Sequence, residues 1–357
     1  MIQKLQQKIK NKADGIIITS EENRRYFTSF HSSNGILIVT SDDAIFLTDS
    51  RYIEAASNTI KNCRVIEMKK LKEQVPEIIN ELGLSHKLLP KFLVESEKMN
   101  DSYLKSLRSA FRQFRLSTVG GDEIINSLRI IKNEHELDCI IKAQRIAEKA
   151  FENILNYIRV GVSEKDIALE LDYFMLRNGA EALSFDTIAV SGKKSSMPHG
   201  VPDGKLIEQG DFITMDFGAV VDGYHSDMTR TVCVGEPSDK QKEIYNIVLA
   251  AQEAALSAVR AGVSAKDVDS AARDIIKNAG YGEYYRHATG HGVGIEIHEL
   301  PVVAGNPKTI LNTGNVITVE PGIYIPDEIG VRIEDMVYVA DEGCINLTRS
   351  PKNLIIC

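Results

Sequence analysis

The chain contains no tryptophan, so its near-ultraviolet fluorescence would report tyrosine alone. It has 5 cysteines, at positions 63, 139, 233, 344 and 357. The number is odd and no two stand in a CxxC pair, which argues against a disulfide framework or a zinc–thiolate site and for free thiols in a reducing compartment. A basic excess is also missing. Lys and Arg total 42 against 50 Asp and Glu, the net charge is -8 and the pI about 5.6. Nucleic-acid surfaces need the opposite balance. No run of about 18 uncharged apolar residues occurs, so no membrane span is predicted. The opening residues, MIQKLQQKIKNKADG, lack the apolar core of a secretory signal, and a cytoplasmic location is expected. What is present is ordinary for a globular protein: 43% hydrophobic and 26% charged over 357 residues, enough for two domains with sizeable cores.

Residues 1–122 alternate helical and extended patterns. A helix over 2–12 precedes a strand at 15–19. Strands at 35–39 and 44–47 form a hairpin across Thr40–Asp43. Helices at 52–57, 71–82 and 101–111 then alternate with strands near 64–66 and 91–94. This predicts a small α/β domain with a mixed sheet and no catalytic cluster of its own. Gly120-Gly121 is the best linker signal, so the second domain is expected over 123–357, opening with a long helix from Asn133 to Ile158.

The second half repeats itself. Arg159–Ile167, RVGVSEKDI, recurs as Arg260–Val268, RAGVSAKDV, with six of nine positions identical. In each copy the Gly-Val-Ser segment caps a helix whose first turn carries Lys-Asp. The reading is a duplicated α/β unit whose two halves face each other across a cleft on a pseudo-twofold axis.

Polar residues then gather in apolar surroundings. The stretch MDFGAVVDGYHSDMTR, Met215–Arg230, reads as two antiparallel strands around an Asp222-Gly223 turn, with Asp216 and Asp227 on facing strands. Side chains placed so can lie about 5 Å apart. Two buried carboxylates at that separation repel unless a cation lies between them. Downstream, His291 sits among glycines, Glu320 ends a β-branched strand and Glu334 lies on another. Four carboxylates and one imidazole suit Mn²⁺, Co²⁺, Mg²⁺ or Zn²⁺, and would balance two divalent ions bridged by hydroxide.

The order Asp, Asp, His, Glu, Glu, set in DFG…SDMTRT, TGHGVG, HELP, EPGIYIP and VRIED, resembles the metallopeptidases of the pita-bread fold. Within them it is similar to the Xaa-Pro aminopeptidases and Xaa-Pro dipeptidases (prolidases). FTSF at 27–30, TDSRY at 48–52, SFDTI at 184–188 and SSMPHG at 195–200 extend the likeness over the whole chain. The resemblance implies an N-terminal α/β domain of creatinase/prolidase type joined to an α+β pita-bread catalytic domain. It implies that Asp216 chelates one ion, that Asp227 and Glu334 bridge two, and that His291 and Glu320 complete the second, most simply with Mn²⁺, or with Co²⁺ or Zn²⁺. His199 and His298 would hold the substrate carbonyl, His287 would line the proline pocket, and Tyr324 and Arg332 would stand beside them. Glu320 would take the proton of the attacking hydroxide. The implied substrates are peptides with proline second, cleaved as an aminopeptidase or, alternatively, a dipeptidase. A homodimer follows from the same resemblance. Creatinase, which works without metal, does not fit five retained ligands, nor does an inactive binding module. Methionine aminopeptidase lacks so large an N-terminal domain. Leu300 and Met228 depart from the commoner residues without removing a polar group.

Overall fold

A computed structural model describes residues 1–357, which divide into two compact units, Met1–Arg129 and Ile130–Cys357. The expected 122/123 boundary lies inside a helix that belongs to the first unit. In that unit α1 (Ile2–Ile9), β1 (Gly15–Ile18), α2 (Glu21–Thr28), β2 (Ile36–Thr40), β3 (Ala44–Thr48) and α3 (Ile53–Thr59) come first. They are followed by β4 (Arg64–Glu67), α4 (Leu71–Glu81), β5 (Lys91–Val94), α5 (Asp101–Ala110), β6 (Arg115–Ser117) and α6 (Gly121–Arg129). One mixed sheet runs β4-β3-β2-β1-β5-β6. The β1–β2 and β2–β3 pairs are antiparallel and the outer pairs parallel. Every residue of β1, β2 and β3 is buried, which explains their unbroken aliphatic runs. Gly120-Gly121 is therefore not a free linker. Gly120 has φ +92°, and a Cβ on Gly121 would run into the Val94 carbonyl, so the pair seats α6 on β5.

The second unit opens with α7 (Glu134–Ile154), shorter than expected, and α8 (Glu164–Arg177). Next come β7 (Ala182–Leu183), β8 (Ile188–Ser191), a short 3₁₀ turn at Gly192–Ser196, β9 (Phe212–Phe217), β10 (Ala219–Val221), β11 (Tyr224–His225) and β12 (Met228–Cys233). Then α9 (Asp239–Ala258) and α10 (Ala265–Asn278) lead to β13 (Gly290–Gly292), β14 (Glu299–Val303), β15 (Val316–Val319), β16 (Gly322–Ile325), β17 (Ile329–Arg332), β18 (Asp335–Ala340) and β19 (Gly343–Asn346). The main sheets run β12-β9-β8 and β14-β13-β15-β18-β19.

The duplication is physical. Ser163 and Ser264 both cap, accepting from the backbone N–H of Asp166 and Asp267. Gly161 and Gly262 both take positive φ, 89° and 82°, which a side chain would strain. Gly161 donates to Ile207 and Gly262 to Leu311, and each acceptor residue donates back one position on. The homology runs further than the short repeat: Gly210–Gly218, GDFITMDFG, corresponds to Gly314–Gly322, GNVITVEPG, which makes Asp216 and Glu320 counterparts. Each half has its own core. One lies under α7 and α8 around Phe151, Leu171, Met215 and Phe217; the other lies under α9 and α10 around Tyr245, Ile276, Ile317 and Val337. Burying such aliphatic side chains supplies about 25 cal/mol per Å² of apolar surface.

The expected single hairpin at 215–230 is instead two-tiered. β9 and β12 pair from Phe212–Cys233 to Phe217–Met228; beyond Gly218 the chain shifts, and β10–β11 pairs with β7 in another sheet. A Cβ at Gly218 would strike the Ser226 carbonyl, so this crossing requires glycine. Asp222 and Gly223, φ 52° and 82°, form the tip as expected. The expected strand through Gly330–Asp335 is also interrupted. β17 ends at Arg332, and β18 begins at Asp335 in a different sheet.

Candidate metal centre

Those interruptions build the site. Asp227 lies just before β12, Glu320 just after β15 and Glu334 between β17 and β18, while Asp216 is in the last turn of pleat of β9. At strand junctions a side chain escapes the alternation of a sheet and can converge with others from neighbouring strands. Asp216 stands opposite Thr229 in the β9–β12 register, so Asp227, two residues back, is its diagonal neighbour.

Carboxylate oxygens of Asp227 and Glu334 and a ring nitrogen of His291 all lie within 4.8 Å of one another. His291 Nε2 is 3.5 Å from Asp227 Oδ2 and 3.4 Å from Glu320 Oε1. Its Nδ1 is 3.1 Å from the Gly292 carbonyl, so Nδ1–H donates there and Nε2 offers a lone pair toward two carboxylates. A lone pair facing carboxylates is repulsive unless a proton or a metal cation lies between them. Thr318 Oγ1 holds the assembly from behind, accepting from the His291 N–H at 3.0 Å and donating to Glu320 Oε1 at 3.1 Å. A Cβ on Gly290 would run into the Thr318 carbonyl, so glycine lets these strands close. Thr229 Oγ1 donates to Glu334 Oε2 at 2.7 Å.

Arg332 does not pair with Glu334, its neighbour by sequence. Its Nη2 donates to Asp216 Oδ2 at 2.6 Å, its Nη1 to the Tyr324 hydroxyl at 2.8 Å and its Nε to Thr229 Oγ1 at 2.9 Å. The other Asp216 oxygen, Oδ1, is buried with no hydrogen-bond partner. An orphaned carboxylate oxygen among three more carboxylates and an imidazole lone pair fits a divalent cation in its donor chemistry.

The titration properties agree. Burial, then Glu334, Asp216 and Glu320, push Asp227 well above the usual carboxylate range. Burial, then Glu320 and Asp216, do the same to Glu334. Burial raises Glu320 to about 7, against the pull of Arg332. Burial lowers His291 to about 4, with His298 adding to the effect, and lowers His298 as well. The carboxylates resist their own charge and the imidazoles resist protonation. Both are the states that a cation would reverse or retain.

These groups line a cavity of about 500 Å³ with His199, His287, His298 and Arg332. Its apolar wall comes from Phe185, Ile188, Pro198, Val201, Pro202 and Ile297. The sequence motifs flagged the polar members and contain Phe185, Ile188 and Pro198, but they leave out Val201, Pro202 and Ile297, because single apolar residues outside a pattern carry no signal. The His298 ring packs edge-on to His291 with centroids 4.3 Å apart. Burial lowers His287 to about 4, and both its nitrogens are engaged, by the Ala288 carbonyl at 2.8 Å and the Tyr324 hydroxyl at 3.0 Å. It can therefore serve as a wall rather than a donor. Tyr324 is not part of the cavity lining; it backs His287 and Arg332. Asp335, adjacent to Glu334, points away into a buried ion pair with Arg230 at 2.8 Å.

A cluster of this kind inside a duplicated α+β unit has the donor set of a metal-dependent hydrolase of the pita-bread type. The chain belongs to metallopeptidase family M24: the profile of that family matches residues 138–341, and the Creatinase/Prolidase N-terminal domain matches residues 1–131. Members of the family use divalent metal ions. An Xaa-Pro dipeptidase of Pyrococcus horikoshii is 40% identical over 97% of this chain and 95% of its own. The structure of an Xaa-Pro dipeptidase from Bacillus anthracis superposes with a TM-score of 0.92 at 42% identity, covering 100% of this chain and 99% of the other. That of an X-Pro aminopeptidase from Thermotoga maritima gives 0.92 at 36% identity, with the same coverage. No helix is long and apolar enough to cross a membrane.

Proposed function

We propose that the protein is an Xaa-Pro exopeptidase that cleaves the peptide bond between an N-terminal residue and a following proline. The observation that carries this reading is the convergence of five potential ligands and two further histidines, His199 and His298, on one cavity in a chain of this family. The names of the relatives supply the substrate class.

In this reading Asp216, Asp227, His291, Glu320 and Glu334 hold two divalent ions, manganese first, with cobalt or zinc as alternatives. The metals, when bound, supply Lewis acidity and a water acidic enough to attack near neutral pH. The chain's own groups do the rest. His199 and His298 donate to the scissile carbonyl oxygen as negative charge grows on it, and burial keeps His298 neutral. One such preplaced donor contributes roughly 2.7–4 kcal/mol to the transition state. Glu320 receives the proton of the attacking water and passes it to the leaving proline nitrogen. Arg332 fixes Asp216, and His287 with its Tyr324 partner forms the wall against the proline ring. Proline has no N–H, so peptidases that grip the chain through that donor fail here, whereas this cavity needs none.

The aminopeptidase form is our main reading. The dipeptidase form is the alternative, favoured by the names of the Pyrococcus and Bacillus relatives. A homodimer and a cytoplasmic location, in keeping with five free thiols, belong to the same reading. Xaa-Pro dipeptides and longer Xaa-Pro-Xaa peptides, each assayed with Mn²⁺, Co²⁺ and Zn²⁺, test it. Release of the first residue from either series supports it, and the preferred length separates the two forms. Failure to cleave either series with any of the metals overturns it.

A further inference from the structure

The segment from Ser191 to Asp203 brings Pro198, His199, Gly200 and Val201 into the cavity wall, with only the turn at Gly192–Ser196 as regular structure. A donor on such a segment keeps its aim only if the ends are fixed. Both ends run to one side chain. Glu164 opens α8, a position where glutamate is ordinarily solvated, yet it is fully buried. Its Oε1 accepts from the Ser191 N–H at 2.7 Å and the Ser191 hydroxyl at 3.0 Å. Its Oε2 accepts from Lys194 Nζ at 2.8 Å and the Asp203 N–H at 3.4 Å. Lys194 also reaches the Asp203 carboxylate at 2.7 Å. One buried carboxylate thus ties the chain before His199 to the chain after it.

The duplication provides an internal control. The residue corresponding to Glu164 in the second half is Ala265, also fully buried. The backbone frame is the same: Glu164 N–H donates to the Lys205 carbonyl at 3.0 Å, and Ala265 N–H to the Thr309 carbonyl at 2.8 Å. The frame closes without a carboxylate, and only the half that carries His199 has one. Seating the helix therefore does not by itself require Glu164; what it adds in the first half is the clasp on the 191–203 segment.

We propose that Glu164 is a positioning residue: by clasping both ends of the 191–203 segment it holds His199 in line with the scissile carbonyl. The inference rests on His199 acting as a donor to that carbonyl. The test is a double-variant cycle on the full-length, metal-loaded protein, with Glu164→Ala and Glu164→Gln each made alone and together with His199→Ala. It reads kcat and KM on an Xaa-Pro peptide, metal content, and tryptic cleavage at Lys193 and Lys194. Glu164→Ala should lower kcat by roughly 10- to 100-fold, the scale of a misplaced donor, with KM and metal content nearly unchanged and the segment cut faster. Glu164→Gln keeps the acceptor for Ser191 but loses the charge facing Lys194, and should fall between. Once His199 is alanine, either Glu164 change should alter kcat by less than about twofold, because coupled groups are not additive. Multiplicative losses in the double variants, or full kcat in Glu164→Gln and Glu164→Ala, overturn the proposal. If Glu164→Ala does not fold, the Glu164→Gln cycle decides. Full kcat in His199→Ala alone would instead overturn the His199 assignment, so the two failures are told apart.

Discussion

Removing the metals and raising the pH from 6.5 to 8 should destabilise the catalytic unit. In the metal-free protein Asp227 and Glu334 hold protons well above the usual range, and Glu320 holds one up to about 7. The unfolded chain releases those protons near the ordinary values of 3.8 and 4.5. A carboxyl raised by folding stabilises the fold at low pH, and that contribution is lost as pH rises through the folded value. For Glu320 the whole effect, from 4.5 to about 7, comes to roughly 3 kcal/mol at ~1.4 kcal/mol per pH unit. His287 and His291, lowered to about 4, act with the opposite sign; in the unfolded chain they are half protonated at pH 6.5, so each adds back about 0.4 kcal/mol between 6.5 and 8. Together they cancel most of what Glu320 loses over that range, so the net fall comes from Asp227 and Glu334. Integrated from 6.5 to 8, Glu320 accounts for about 0.8 kcal/mol, and Asp227 and Glu334, raised further, act in the same direction. Bound metal displaces these protons, so metal affinity should climb with pH and the slope should flatten or reverse. Urea midpoints followed by circular dichroism, with chelator and with excess Mn²⁺, measure both curves. A metal-free protein whose stability holds or grows between pH 6.5 and 8 would refute the argument that burial keeps these carboxyls protonated.

Four substitutions extend the test. Glu320→Gln should keep much of the bound metal yet lose most turnover, whereas Asp227→Ala should lose both; elemental analysis beside kcat distinguishes them, and full turnover in Glu320→Gln removes the proton-transfer role. Arg332→Met leaves Asp216 without its cation and should cost the metal-free protein about 3–5 kcal/mol, the scale for a broken buried ion pair, partly recovered on adding metal and visible as a shift in urea midpoint. Gly290→Ala drives a methyl group into the Thr318 carbonyl and should displace His291, weakening metal binding at least tenfold by competition with a chelator while leaving the first unit's fold intact.

Much of the fold was legible because its signals are local. Aliphatic runs gave β1, β2 and β3, Asp222-Gly223 gave a hairpin tip, and Gly-Val-Ser gave two helix starts that Ser163 and Ser264 do cap. What misled were places where a pattern continues while the chain changes sheet. Met215–Arg230 and Gly330–Asp335 read as unbroken strands, but Gly218 and Ile333-Glu334 are where the chain crosses from one sheet to another. Gly120-Gly121 read as a linker because glycine marks both flexible chain and close packing.

The sequence alone determined the inventory of the site: which carboxylates, which imidazoles, their order and the family they resemble. Those residue types sit in apolar stretches where a charge has no reason to be unless something pairs with it. Only the tertiary structure decided the pairings. Arg332 turned to Asp216 rather than to Glu334, its neighbour two residues away, because the strand ends between them and the next sheet carries Glu334 elsewhere. Lys132 and Glu299, far apart in the chain, meet at 2.5 Å beside His298. Glu164, at the start of α8, carries no signal in the sequence, yet it lies buried under the segment that holds His199. Sequence spacing fixes partners only within one turn or one strand face; across sheets the partner is whichever group packing brings within about 3 Å.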